Sequence, residues 1–246
     1  MKTRIIGLVG IVVLLLTACN GLPGTSKTGA LELEELVLVP TPETVSGSVA
    51  FRDEMNTDVT KDWGLKLISG LQKQLLLSQG SNHVRIELLP DPMDAIFVFL
   101  NKGKTYKDMV VQAEVEFQLS SDTFFGVICR ASEKGWYEFR LNGQGYYEVV
   151  KYNQDLRDQG LNAHKNLVEK QYFSSAFKPG KQPNVITLSC IGNQIKVFVN
   201  GEQVILDRVP LVIEDNDFEE GVIGFGVAAQ GSATNFHVNW VETLNP

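Results

Sequence analysis

The sequence lacks an excess of basic side chains: 22 lysines and arginines stand against 29 aspartates and glutamates, a formal net charge of -7. A surface that binds phosphates needs the opposite sign, so we expect no nucleic-acid partner. Disorder is excluded because 43% of the residues are hydrophobic and 21% are charged, as in ordinary folded domains. The 246 residues are enough for one large β-sandwich or for two small domains.

The residues of common catalytic centres are also scarce. Histidine occurs only at His83, His164 and His237, and the motifs Cys-x-x-Cys, His-Glu-x-x-His and Gly-x-Ser-x-Gly are absent, so zinc and serine-hydrolase chemistry have no support. No glutamate has an aspartate two residues later. This excludes the Glu-x-Asp-x-x-Glu motif, in which one strand places two catalytic carboxylates about 5 Å apart. We therefore predict no catalytic residue and no cofactor.

Residues 214–221 concentrate acidic side chains in one segment, which raises the question of a calcium site. The segment lacks the spaced Asp-x-Asp-x-Asp-Gly order, and a solvated turn between strands explains its composition without a metal. Glu114 and Glu116 alternate with glutamines, which is typical of a solvated strand face. We assign neither group to a site and predict no metal.

The sequence has no apolar run long enough to cross a bilayer, which takes about 20 residues. Its longest run, residues 5–16, follows Lys2 and Arg4 and ends in the sequence LTAC at residues 16–19. This layout is typical of a secretory signal, and LTAC resembles the bacterial lipobox, in which the cysteine is lipid-modified and becomes the mature N-terminus. An ordinary signal peptide with a chance cysteine is the alternative.

The lipobox-like sequence predicts the organisation of the chain. Residues 1–18 would be a lipoprotein signal peptide, residues 19–48 a flexible tether rich in Gly, Ser, Thr and Pro, and residues 49–246 the folded domain. Cleavage removes two basic residues, so the mature charge becomes -7 - 2 = -9. Acyl chains on Cys19 would then hold the protein to a membrane on the extracytoplasmic side of the cell envelope, in the periplasm or at the cell surface.

Beyond the tether, hydrophobicity alternates with a period of two, which is the pattern of strands with one buried face. The alternation is clear in residues 111–119, 137–141 and 236–240, and Gly192-Asn193 and Asn200-Gly201 have the composition of hairpin turns. Residues 65–75 carry apolar side chains at helical spacing but contain Gly70, so their structure stays open. Many antiparallel strands imply two packed sheets, and the predicted fold is an all-β antiparallel sandwich.

Several strand and turn sequences resemble a known family. They are FFGVICR at residues 124–130, WYEFRL at 136–141, GYYEVVKY at 145–152, CIGN at 190–193, FVNG at 198–201 and GVIGFG at 221–226. Together they are similar to the concanavalin A-like lectin/glucanase jelly roll, and more narrowly to bacterial extracellular domains of the laminarin-G-like and 3-keto-disaccharide hydrolase types. The resemblance covers residues 51–244. It implies a jelly-roll scaffold that hosts lectins, hydrolases and plain spacers.

Cys129 and Cys190 remain as an even pair once Cys19 is assigned to lipid. Both share strand parity with apolar residues, so both thiols are predicted to point into the core, and we expect a disulfide between adjacent strands. Two buried free thiols are the alternative.

The predicted ligand-binding surface is the polar face of the central strands. We expect the charged groups on this face to be exposed, so removal of Arg140 would barely affect folding. Sugar rings could also stack on Trp136, Tyr146 or Tyr172 near the strand ends. Trp63 and Trp240 are instead predicted to be core residues. The alternative is an ion-pair ladder without a ligand. We predict a non-catalytic domain that binds a carbohydrate or cell-envelope polymer, with a glycoside hydrolase or a structural spacer as alternatives. The ligand-binding candidates are Arg130, Glu138, Arg140, Glu148 and Tyr152.

Overall fold

The computed structural model describes residues 43–91, 93–119 and 122–246. The predicted signal peptide, most of the predicted tether and Cys19 lie outside these residues. The strands are β1 Ser48–Asp53, β2 Trp63–Ser69, β3 Leu75–Gln79, β4 Val84–Leu88, β5 Ala95–Asn101, β6 Met109–Phe117, β7 Phe124–Ala131, β8 Gly135–Asn142, β9 Tyr146–Asn153, β10 His164–Asn166, β11 Tyr172–Phe173, β12 Pro183–Ile191, β13 Gln194–Val199, β14 Glu202–Gln203, β15 Ile205–Leu206, β16 Val209–Pro210, β17 Val212–Glu214, β18 Val222–Ala229 and β19 Thr234–Asn245.

The strands form two large antiparallel sheets, as the alternating sequence predicts. The nine-stranded sheet runs β14-β13-β12-β6-β19-β4-β3, with β1 beside β19 and β17 beside β13. The eight-stranded sheet runs β10-β9-β8-β7-β18-β5-β2, with β11 beside β9. The short strands β15 and β16 pair separately. The described part of the chain is therefore a β-sandwich of the jelly-roll type.

The core lies between the two sheets and consists of the inward residues of alternating strands. In β6, Val111, Ala113 and Val115 are fully buried, while the intervening glutamine and glutamates face outward. In β8, Tyr137, Phe139 and Leu141 are buried in the same core. Burial of each such large apolar side chain stabilises the folded state by roughly 1.5–3 kcal/mol. A register shift of one residue would turn these side chains to the other face, so the sequence fixes the register of the strands.

Two short helices interrupt the strands. Residues 65–75, which carry apolar side chains at helical spacing, form β2, a 3₁₀ helix at Gln72–Gln74 and the start of β3 rather than an α-helix. The α-helix α1 spans Gln154–Asp158 directly after β9, and the Asn153 side chain caps it by accepting a hydrogen bond from the Leu156 amide. Among the described residues, no helix has the length and apolarity needed to cross a membrane.

Cys129 and Cys190 form a disulfide, which confirms the predicted pairing. The expectation of adjacent strands was wrong: Cys129 lies on β7 of the eight-stranded sheet and Cys190 on β12 of the nine-stranded sheet, with their Cα atoms 6.6 Å apart. Both side chains point into the core, so facing sheets bring them within disulfide range. The bond therefore joins the two layers of the sandwich.

Candidate functional site

The face of the eight-stranded sheet that points away from the core, here called the outer face, carries a charged pair on β8. Glu138 and Arg140 alternate with core residues, and Arg140 Nη2 donates a 2.8 Å hydrogen bond to Glu138 Oε2. The Trp136 indole N–H is directed to the same oxygen at 3.5 Å. The parity of these residues agrees with the prediction, but their exposure does not: Glu138 is 2% exposed and Arg140 is 6% exposed.

The burial of this pair changes the expected effect of removing Arg140. Loss of the guanidinium would leave the Glu138 carboxylate buried without its charged partner, and breaking a buried pair typically costs about 3–5 kcal/mol. The prediction that removal of Arg140 would barely affect folding was therefore wrong. The strand pattern located the side chain on the correct face, whereas its depth depends on groups from other strands.

Two glycines make room for the Glu138 side chain. Gly126 of β7 and Gly226 of β18 are paired with each other in the sheet. A Cβ atom at Gly126 would lie 2.6 Å from Glu138 Oε1, and one at Gly226 would lie 3.0 Å from the same oxygen. A carbon atom cannot approach the oxygen this closely without displacing it. Glycine at both positions therefore leaves the space that the Glu138 carboxylate occupies.

An aromatic group lies beside the charged pair. The rings of Trp136 and Tyr152 stack with their centroids 4.0 Å apart, and His164 of β10 meets Tyr152 edge-on at 5.1 Å. The Lys66 ammonium lies 5.3 Å from the Trp136 ring centroid. Helix α1 supplies Arg157, which donates a hydrogen bond to the Tyr152 hydroxyl. The outer-face cluster is defined as Trp136, Glu138, Arg140, Tyr152 and His164.

Two polar atoms of the outer-face cluster are buried without a hydrogen-bond partner: Arg140 Nε and His164 Nε2. Burial, together with the neighbouring Arg140 charge, lowers the pKa of His164 to about 4, so His164 is neutral at pH 7. A buried donor that lacks a partner costs about 1–3 kcal/mol, which a ligand can recover. A hydroxyl group suits both atoms because it donates and accepts hydrogen bonds.

Glu148 of β9 lies next to the outer-face cluster. It is the strand partner of Arg140. Burial lowers the pKa of the Arg140 guanidinium, but Glu138 and, less strongly, Glu148 outweigh this effect and raise the pKa above its ordinary value. The Glu148 carboxylate is half-buried and accepts a 2.7 Å hydrogen bond from Gln171. Four of the five predicted ligand-binding residues are thus brought together, namely Glu138, Arg140, Glu148 and Tyr152.

Arg130, the fifth predicted residue, lies apart from this group. Its backbone has a φ of 53°, and β7 has one extra residue at this point relative to β18, so the side chain leaves the outer face. The guanidinium is buried and donates to five oxygens: the carbonyls of Lys107, Phe218, Cys190 and Gly192, and the Asp108 carboxylate. The placement of Arg130 on the shared face was wrong, because the bulge reverses its strand parity, and its contacts join loops at the sandwich edge.

The acidic segment is held by a lysine. Lys151 Nζ donates to Asp215 at 2.5 Å and to Asp217 at 2.6 Å, and the Tyr137 hydroxyl donates to Asp215. Desolvation of Asp215 is outweighed by these donors, so its pKa is lowered. Across the described ranges, no three histidine, cysteine or acidic side chains are grouped as a metal site would require. The arrangement explains the acidic residues as an anchor for this loop.

The sequence did not point to several residues around the cluster. His164 comes from β10, which pairs with β9, and Arg157 comes from α1. Lys66 comes from β2 at the opposite edge of the same sheet and still lies over the Trp136 ring. The Asn153 cap was a local signal for α1, since asparagine favours helix N-termini.

Trp240, predicted as core, is half-buried on the nine-stranded sheet beneath the Arg52 guanidinium, because β19 has an irregularity between Val238 and Trp240.

Comparison with known proteins supports the fold assignment. No family model and no curated protein matches the sequence. Among solved structures, the carbohydrate binding module CBM66 from Bacillus subtilis superimposes with a TM-score of 0.53 at 12% identity, over 75% of this chain and 98% of that chain. The non-specific endo-β-1,3(4)-glucanase SCLam of family GH16 gives a TM-score of 0.56 at 11% identity, over 84% and 96%.

A third similar structure is the laminarinase catalytic domain from Thermotoga maritima, with a TM-score of 0.56 at 8% identity, over 82% of this chain and 99% of that chain. Identities this low define the fold and not the ligand. The chain has the concanavalin A-like jelly-roll fold, which confirms the predicted fold class. Within that fold, its structural neighbours include both a binding module and glycoside hydrolases.

Proposed function

We propose that this protein is a membrane-anchored, extracytoplasmic lipoprotein whose jelly-roll domain binds a glycan or another cell-envelope polymer without catalysis. The observation that carries the binding function is the outer-face cluster, in which Arg140 Nε and His164 Nε2 are buried and lack partners. Such atoms favour a ligand rich in hydroxyl groups, and the adjoining aromatic rings suit the apolar faces of sugars. A similar fold in a carbohydrate binding module is consistent with this function.

The outer-face cluster is organised as a buried floor with a half-exposed rim. Glu138, Arg140, Trp136 and Tyr152 form the floor, and the long side chain of Lys66 is among those that form the rim. Lys66 Nζ donates a 3.0 Å hydrogen bond to Gln154 Oε1, so a ligand that reaches the rings has to replace this contact. The groups beneath Lys66 are held by their neighbours and need little ordering on binding, which favours affinity.

The absence of catalysis is proposed from the carboxylates. Hydrolysis by the retaining mechanism needs a nucleophile and an acid about 5 Å apart on the same site, and the sequence lacks the motif that supplies them. Glu138 Oε2 already accepts the Arg140 hydrogen bond and faces the Trp136 indole. Glu148 is held by Gln171. Neither carboxylate is arranged to attack a sugar or to protonate a leaving group.

The test is calorimetric titration of the full chain with laminari-oligosaccharides, cello-oligosaccharides and soluble peptidoglycan fragments, followed by product analysis after long incubation. Glu148→Gln should weaken binding by about 1.5–3 kcal/mol, or tenfold and more, because hydrogen bonds to charged groups are worth that much. Folding should be unaffected, since Glu148 is half-exposed.

Glu114→Gln is the matched control, because Glu114 is a half-buried carboxylate on the nine-stranded sheet that also accepts one amide hydrogen bond, from Asn239. The control variant should bind like the parent. Absence of binding to every probe by the parent chain would refute the glycan-binding proposal. Sugar release that is lost in Glu138→Gln would instead establish a hydrolase.

A further inference from the structure

An exposed aromatic pair lies at the opposite end of β9 from Tyr152 of the outer-face cluster. Phe173 is 57% exposed and Tyr146 is 40% exposed, and their ring centroids are 5.8 Å apart in an edge-to-face arrangement. Large aromatic side chains are more often buried on average, so an exposed pair in contact is informative. The two rings present an apolar surface to solvent beside a polar sheet face.

The pair belongs to the same face of the sheet as the cluster. Along β9, Tyr147 and Val149 point into the core, so Tyr146, Glu148 and Tyr152 point outward. Phe173 of β11 is the strand partner of Tyr146 and contacts its ring on that face. Six residue steps separate Tyr146 from Tyr152, which corresponds to about 20 Å along the strand.

The position of the Phe173 ring is built into the turn that precedes β9. Gly145 has a φ of +87°, and a Cβ atom there would lie 2.8 Å from Phe173 Cε2 and 2.7 Å from Phe177 Cδ1. The Asn142 side chain fixes this turn by accepting hydrogen bonds from the amides of Gln144 and Tyr146. The Ser174 amide donates to the Gly145 carbonyl. The pair of Tyr146 and Phe173, here called the aromatic platform, is therefore held in place before any ligand binds.

The groups along β9 follow the order aromatic, polar, aromatic. The exposed rings of Tyr146 and Phe173 lie at one end, and the Glu148 carboxylate with its Gln171 partner lies between. At the other end Tyr152 and Trp136 are 0% exposed beneath Lys66, which a ligand has to displace to contact them. A single sugar or a disaccharide is too short to contact both ends. A chain of several sugars matches this order, because each unit offers an apolar ring face and polar hydroxyls.

We propose that the site takes an extended stretch of polysaccharide along β9, and that Tyr146 and Phe173 form a distal subsite for units remote from Trp136 and Tyr152. This inference rests on the glycan-binding function proposed above. It specifies the ligand as a chain of several units rather than a small sugar. Because longer chains would also contact Tyr146 and Phe173, the affinity of the site would rise with the length of the ligand.

The experiment compares binding of disaccharides and hexasaccharides of the laminari and cello series to the full chain, by calorimetry. The parent should bind a hexasaccharide about tenfold or more tightly than the matching disaccharide, since each aromatic platform contributes on that scale. Phe173→Ala should remove most of this difference and leave disaccharide affinity unchanged. Ile191→Ala, which alters a residue 40% exposed on the nine-stranded sheet, is the control and should behave like the parent.

The outcomes separate this inference from the proposed function. Equal affinity of the parent for disaccharide and hexasaccharide, or a Phe173→Ala variant that keeps the full length dependence, would overturn the distal subsite while glycan binding stands. Failure of the parent to bind any probe would overturn both. Tyr146→Ala provides a second test of the platform, because it removes the other ring without altering Phe173.

Discussion

His164 is a histidine that folding keeps uncharged beside an arginine. Its pKa is about 4 in the folded protein, against 6.5 for a free histidine, and burial is the main cause. In the unfolded chain the imidazole takes up a proton at a higher pH than in the folded one. The folded state is therefore destabilised as the pH falls from about 6.5 to about 4, and His237, whose pKa is also lowered by burial, acts in the same direction.

We expect His164→Gln to flatten the loss of stability in acid. The 2.5 pH units between the two pKa values correspond to about 3 kcal/mol of stability lost by the parent at the acid end of this window. Urea unfolding of parent and variant at pH 7, 6 and 5 measures the effect. An equally steep decline in the variant would show that His164 is not held neutral by the fold.

Residue-scale prediction from the sequence succeeded where strands are regular and failed where they are not. The alternation in β8 correctly placed Glu138 and Arg140 on one face. Arg130 was misplaced because its φ of 53° belongs to a bulge that no local pattern marks. The depth of Arg140 also escaped prediction, since it depends on residues such as His164 that are distant in the sequence.

At the scale of elements, β7 contributes to three features of the structure. Its outward glycine Gly126 gives room to Glu138, its inward Cys129 binds Cys190, and its bulge directs Arg130 to carbonyl oxygens at the sandwich edge. The features lie within five residues, so one strand positions both the candidate site and the covalent link between sheets. Substitutions in this strand should therefore affect stability and binding together.

Removal of the disulfide by Cys129→Ala with Cys190→Ala should destabilise the domain by about 4 kcal/mol, because the bond closes a loop with a sequence separation of 61. Urea unfolding of the oxidised parent and the double variant gives the difference, and the parent unfolded in reductant should match the variant. Mass spectrometry under non-reducing conditions should recover one cross-linked peptide pair. Coincident unfolding curves for oxidised and reduced parent would contradict this expectation.

Element-scale prediction identified the main strands and the hairpin turns. Asn200 and Gly201 have φ angles of 52° and 82°, as the Asn-Gly turn predicts. Residues 65–75 stayed open in the sequence because their apolar spacing fits a helix, while strand pairing with β5 and β4 decided their structure. The disulfide was predicted between adjacent strands because sequence parity shows which face a cysteine occupies but not which sheet lies opposite.

At the scale of the whole molecule, the proposed lipid anchor rests on Cys19. Cys19→Ala should move the protein from the membrane fraction to the soluble exported fraction, because the net charge of -9 expected after the predicted cleavage gives no attraction to anionic lipid. Fractionation followed by immunodetection measures this shift. Ser26→Ala is a useful control, since it changes the predicted tether without touching the lipobox-like sequence. Unchanged membrane association of the Cys19 variant would refute lipid anchoring.

The disulfide has a mechanical consequence for the proposed anchored and polymer-binding protein. The N-terminal strand β1 enters the nine-stranded sheet, whereas the proposed ligand lies on the eight-stranded sheet. Within the described ranges the two sheets share no backbone pairing, so a pull between the proposed anchor and the proposed ligand follows a path made of the connecting segments of the chain, the apolar packing and the disulfide. The Cys129–Cys190 bond lies on this path and fastens one layer to the other. The bond resists sliding of one sheet over the other, and its reduction would leave only the chain connections and the apolar packing to hold the two layers together.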